Sequence, residues 1–275
     1  MKYDVLFPMN NLKKINPIEA EHSSKAGLVK YGSNVPLNME ILERLDPLNY
    51  LLQMNGKKAF AESEKLLEPG MRYWGEAIHK RGEKFVIGNL IKQPQIFKQV
   101  QDNAFVDARK VLEAFSSNSR TPFETQFKQE IISQMAKSSD RNEFIFLNQL
   151  LLSMENNVIT IPINYEDRSL MFQYKYGYSE KERREREELE ANEIKTLDFY
   201  AIFETLGPMK GKIIYLNDQI SLNIEVNFDK SKKFLERNII NNELVNNINV
   251  IIKVVKNEIQ PLYSFTQNNL LDVRT

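Results

Sequence analysis

The sequence predicts an α+β chain: a helix-rich N-terminal region with a β-hairpin, followed by a compact, mainly antiparallel β-β-β-α-β C-terminal domain. Three observations predict it. Apolar residues recur at helical spacing from about residue 95 to 155, and strict two-residue alternation marks residues 220 to 228. Turn-rich punctuation separates short runs of aromatic and β-branched residues on either side of that alternation.

Residues 1–36 mix Asn, Lys, Ser, Gly and Pro without a sustained period, so a flexible leader is expected. Within "NMEILERLDPLNYLLQM", Met39, Leu42 and Leu45, then Leu48, Leu51 and Leu52, fit two short helices separated by Asp46-Pro47. "KKAFAESEKLL" fits a third, more polar helix, ended by Glu68-Pro69-Gly70. The period then changes. "MRYWGEAIHK" and "EKFVIGNLI" read as a hairpin near residues 71–91, with Trp74 as a core or interface anchor. Ile96, Phe97, Val100, Val111 and Leu112 restore helical spacing, Thr121-Pro122 opens another helix, and one more runs from Arg141 to Glu155. These elements make up an expected N-terminal domain over 37–156.

The expected C-terminal domain spans 157–265. Ile159, Ile161 and Ile163 alternate with polar residues, as do Phe172, Tyr174 and Tyr176 after the Glu166-Asp167 turn. Pro162 removes a ladder donor, which argues for an edge strand or a bulge. A charged insertion over 179–195 interleaves acids and bases and reads as a solvated turn or loop. Strands follow over 197–204, 211–216 and 220–228. Gly207, Pro208 and Gly211 are read as the turn between the first two, since Gly supplies positive φ and Pro fixes it near −65°. Phe234, Leu235, Ile239, Leu244, Val245 and Ile248 give the stripe of a helix capped by Asp229 or Ser231, "NVIIKVV" a last strand, and residues 266–275 a loose tail.

Composition narrows the function classes. The 275 residues include 37 Lys and Arg against 37 Asp and Glu, so no global field draws the chain onto nucleic acid or an anionic membrane. Cys is absent, which excludes disulfides and cysteine nucleophiles. No window approaches the roughly 18 uncharged apolar residues of a membrane span, and no cleaved signal is evident. The cytoplasm is the expected compartment, with signal-independent export left open. His22 and His79 lack neighbours at ligand spacing, no phosphate-binding glycine loop occurs, and the acid pairs Glu187-Glu188 and Glu166-Asp167 fit exposed positions. The expectation is a non-enzymatic protein with no catalytic residue, cofactor or metal.

The run "FYAIFETLGPMKGKIIYLNDQISLNIEVNF…SKKFLERNIINNELVNNI…VIIKVV" resembles the C-terminal domain of flagellar hook-length control proteins over about residues 158–256. Leu206 and Gly207 match the family's strand-ending Leu-Gly. Ile213 to Leu216 match its second strand, Leu222 to Phe228 its third, and Leu235 to Ile248 its helix. Phe203 stands where the family often has Pro. The resemblance implies a type III export specificity switch that binds the cytoplasmic domain of an export gate protein, with hook or hook-cap proteins as further candidate partners. It also implies Phe203, Leu206, Gly207, Pro208, Gly211 and Phe228 as the interaction and turn motif. The alternatives are an injectisome needle-length regulator or a general protein-interaction module and, more remotely, a single-stranded nucleic-acid binder built on Tyr174 and Tyr176.

Overall fold

The structure, a computed structural model, describes residues 35–54, 56–81, 84–116, 120–165, 168–176, 195–216, 219–239 and 248–265. Of the expected leader only Val35 and Pro36 fall among these, and of the charged insertion only Lys195; His22 and the tail over 266–275 lie outside them.

The first five strands form a closed barrel: β1 (Leu37–Arg44), β2 (Asn49–Met54), β3 (Lys57–Glu62), β4 (Arg72–Arg81) and β5 (Lys84–Lys92), in the order β1-β2-β3-β5-β4. This corrects the three helices expected over 38–67. Leu37, Met39 and Ile41 alternate inward on β1, as do Tyr50, Leu52 and Met54 on β2, and fill the barrel with Ala61, Phe85 and Ile87. Asp46 is not a helix stop. Its carboxylate accepts from the backbone N–H groups of Leu48 and Asn49, both at 2.9 Å, and folds the β1–β2 turn. Tyr50 is fully buried, and its hydroxyl accepts from the Leu67 N–H at 3.3 Å, tying the β3–β4 connection to the barrel wall. Register shifts in β1 and β4 provide the bends that closure needs. The expected hairpin near 71–91 is the antiparallel pair β4–β5, and His79 lies within strand β4.

Four helices follow: α1 (Gln95–Asn103), α2 (Ala108–Ser116), α3 (Arg120–Lys137) and α4 (Arg141–Glu155). Asp140 caps α4 by accepting from Asn142 N (2.6 Å) and Glu143 N (2.9 Å). Phe97, Val100, Phe127, Ile131, Phe146 and Leu150 are their buried stripe residues. A two-residue strand, β6 (Val106–Asp107), interrupts the helical run and forms one edge of the second sheet. Asp107 accepts from the Arg109 backbone N–H (2.8 Å) and guanidinium, and these bonds lower its carboxyl pKa to about 2.

The second sheet has the order β12-β11-β10-β9-β8-β7-β6, built from β7 (Ile159–Tyr165), β8 (Arg168–Tyr176), β9 (Lys195–Phe203), β10 (Gly207–Leu216), β11 (Gln219–Val226) and β12 (Ile248–Val254). Neighbours are antiparallel from β7 to β11 and parallel at both margins. β7 is not the edge strand that Pro162 suggests, since β6 lies outside it; β6 is short, pairs only Ile163 and Asn164, and leaves Pro162 paired with Met171 of β8 alone. Helix α5 (Asp229–Ile239) follows β11; Leu244 and Val245 of the expected stripe lie outside the described residues. Ile248 is the first residue of β12, opposite Ile220.

Both faces of the sheet are covered in its middle. On one, the Tyr174 hydroxyl donates to Glu124 of α3 at 2.7 Å, and Phe172 stacks on Phe199 with ring centroids 6.2 Å apart. The other is crossed by the chain after β12. There the buried Gln173 side chain accepts from Leu262 N (3.0 Å) and donates to the Tyr263 carbonyl (3.0 Å). Burial beneath that segment raises the pKa of the Tyr200 phenol.

Candidate functional site

The residues singled out in sequence gather at the junction of barrel and sheet, with one exception. The turn between β9 and β10 consists of Glu204, Thr205 and Leu206, and Gly207 already pairs with Phe203 as the first residue of β10. This corrects the expectation that Gly207, Pro208 and Gly211 all serve the turn. Gly207 does meet the expected demand: its φ is +77°, in the left-handed region. Pro208 pairs with Ile202 but precedes the β11 ladder, which begins at Met209, so its missing N–H costs no bond on that side.

Each group of the turn is held from a different element. The Trp74 indole N–H, from the barrel, donates to the Glu204 carbonyl at 2.8 Å. Asn38 of β1 donates to the Glu204 carboxylate at 3.2 Å, and Gln93 in turn donates to Asn38 at 2.9 Å. From the sheet side, the buried Ser231 hydroxyl of α5 donates to the Leu206 carbonyl at 2.7 Å. Ser231 therefore anchors the turn to the helix. Phe228, fully buried, lies so close to Gly207 that a Cβ there would stand 2.9 Å from the ring edge and 3.7 Å from Trp74. Leu206 is 3% exposed, whereas Phe203 is half-buried at the end of β9, opposite Leu170.

A second tie lies beside the turn. Asn89 of β5, at φ +48°, donates to the Asn227 carbonyl at 3.1 Å, and the Asn227 amide donates to the carbonyls of Val255 (3.1 Å) and Asn257 (2.8 Å). Barrel, β11 and the chain leaving β12 thus meet at one Asn. Trp74, Asn38, Asn89, Ser231 and Asn227 formed no part of the motif read from sequence. No spacing rule could have found them, since Trp74 and Glu204 are 130 residues apart and Asn38 and Glu204 are 166 apart.

Gly211 is the exception. It lies in the middle of the sheet, opposite Phe199 on β9 and Ile224 on β11. A Cβ there would stand 2.3 Å from Phe199 Cζ and 2.6 Å from the Asn223 carbonyl oxygen. Gly211 therefore makes room for the Phe199 ring to lie over its neighbour strand. Gly211→Ala is expected to destabilise the protein by about 1–3 kcal/mol through overpacking. Urea unfolding of the single variants and of Gly211→Ala with Phe199→Leu checks this; a cost that the second change does not reduce would refute the ring as its cause.

At the junction the Trp74 indole N–H, the Asn38 amide and the Ser231 hydroxyl are engaged by groups of the turn, while the buried Oδ1 of Asn227 has no hydrogen-bond partner among the described residues. Tyr174, part of the nucleic-acid alternative, is buried and bonded to Glu124, so no base can stack on its ring. Among the described residues no group of three or more His, Asp or Glu side chains is placed to hold a metal ion, and no helix is long and apolar enough to cross a membrane. Comparisons with protein-family models, curated proteins and solved structures find no match for this chain.

Proposed function

We propose that the protein is a non-enzymatic switch of type III export specificity of the flagellar hook-length control kind, acting by binding the cytoplasmic domain of an export gate protein. The observation that carries this reading is the order β9, Leu206-Gly207, β10, β11, α5, β12, which coincides with the strand, Leu-Gly, strand, strand, helix, strand order of the resembling family. The bonds to the Glu204–Leu206 turn add to it. A switch needs a surface of fixed shape, so that the partner's two states differ in their affinity for it. Here Trp74, Asn38, Ser231 and Phe228 hold the turn; Leu206, Gly207, Pro208 and Phe228 are buried and shape it from within, so the surface it offers a partner is that of Glu204 and Thr205.

The test is electron microscopy of hooks in a strain lacking the gene. Abnormally long hooks without filaments are expected, restored to normal by the wild-type chain supplied in trans. Normal hooks bearing filaments in the deletion strain would overturn the proposal.

A further inference from the structure

At the margin of the large sheet opposite β6, strand β12 has a neighbour only on the β11 side among the described residues. The Val255 N–H donates to the Val226 carbonyl at 2.8 Å, which fixes the direction of the backbone groups along the strand. Because those groups alternate, Asn249, Ile251 and Lys253 also face β11, whereas Ile248, Val250, Ile252 and Val254 present N–H and C=O to the open side. A sheet edge of this length, with one charge in "INVIIKV", is a template for a further strand.

The side chains across the sheet specify what that strand would carry. In register, Lys210 of β10 lies beside Glu225 of β11, which lies beside Lys253 of β12. This row alternates in sign and ends on a cation at the open edge, where the next position calls for a carboxylate. Lys253 is exposed, Lys256 follows it, and no acid occurs between 248 and 256. Beside this row, on the same face, Ile251 is 41% exposed, and Val254 on the opposite face is 39% exposed. On the face under α5, Val250, Ile252 and Val254 offer an apolar margin. A second copy of this chain fits less well: antiparallel pairing centred on Ile251 would set Lys253 against Asn249 and supply no acid.

We infer that the β12 edge is a docking site for an extended, acidic segment of a partner protein. The segment adds as an eighth strand, sets a carboxylate beside Lys253 and places apolar residues at alternate positions. Main-chain hydrogen bonds supply the affinity and the Lys253 row the selectivity. This inference stands apart from the export reading and holds for any partner of that chemistry.

The test is titration of the full chain with a capped nonapeptide in which Val alternates with Glu, followed by NMR of the backbone amides. A second nonapeptide with Lys in place of Glu is the control. Saturable shifts are expected at the amides of Val250, Ile252 and Val254 with the acidic peptide, and weaker ones with the basic peptide. Val254→Pro removes an outward N–H while leaving the β11 ladder intact, so it should fold and lose the shifts. Lys253→Glu, an exposed change, should weaken the acidic peptide roughly fivefold and favour the basic one. No saturable shift, equal binding of both peptides by the wild type, or unchanged preference in Lys253→Glu would overturn the inference. So would a wild-type dimer in sedimentation that Val254→Pro converts to monomer, since a second copy would then occupy the edge.

Discussion

Trp74→Ala is expected to lower the stability of the protein by about 3–5 kcal/mol, the range for removing a fully buried aromatic side chain. Trp74 has no exposed surface, packs against Phe97 with ring centroids 5.9 Å apart, and belongs to the core of the large sheet although it is carried by the barrel. Its loss leaves a cavity where the barrel meets the sheet and leaves the Glu204 carbonyl without its donor. Trp74→Phe separates the two effects: it keeps most of the apolar volume but strands the carbonyl, for an expected cost of about 1–3 kcal/mol. Because Trp74 is the single Trp of the chain, these variants are followed by circular dichroism in urea. If Trp74→Ala and Trp74→Phe both unfold within about 0.5 kcal/mol of the wild type, the side chain does not hold the junction.

The same junction shows where sequence reasoning succeeds and where it stops. β11 was legible because α5 packs on one of its faces while the other meets water. Ile224 and Val226 are buried and Glu225 between them is exposed, so the period of two is clean. Strands β1 and β2 carry an equally regular inward alternation, yet they and β3 are rich in Leu, Met, Glu, Lys and Ala, which favour helix. Leu45 and Leu48, each 47% exposed on the β1–β2 turn, completed a false helical stripe. What makes these segments strands is closure of the barrel, with β1 pairing β4 and β3 pairing β5. That pairing is tertiary context, which overrides local propensity.

The Gly-Pro-Gly cluster was misread for a related reason. A Gly required for φ and a Gly required for space look alike in sequence. Gly207 is required on both counts and Gly211 on the second alone, and only the position of the Phe199 ring on the neighbouring strand distinguishes them. The polar ties of the turn were hidden more thoroughly. Asn38, Asn89 and Ser231 are residue types found on any surface, and their roles arise from partners brought close by the docking of the barrel against the sheet.

Gly207→Val should be nearly as damaging as loss of the indole, through two separable costs. A β-branched residue at φ +77° is in the left-handed region, disfavoured by about 1–2 kcal/mol even before crowding is counted. Its Cβ would then stand 2.9 Å from the Phe228 ring, and that ring is fully buried, so relief requires a shift of the core and adds about 1–3 kcal/mol. Gly207→Asn divides the sum, because Asn tolerates positive φ and retains mainly the steric part. Gly207→Val with Phe228→Leu divides it the other way, removing the ring edge that the new side chain meets. Trp74 provides the local probe: a Phe228 ring displaced from beside it should admit water and shift indole emission to longer wavelength in native buffer. In urea, the order of midpoints from highest to lowest should be wild type, Gly207→Asn, Gly207→Val. If Gly207→Val unfolds within about 0.5 kcal/mol of the wild type with unchanged emission, neither the left-handed backbone nor the Phe228 contact constrains this turn. Retention of both stability and hook control in that variant would also remove Leu206-Gly207 from the proposed switch.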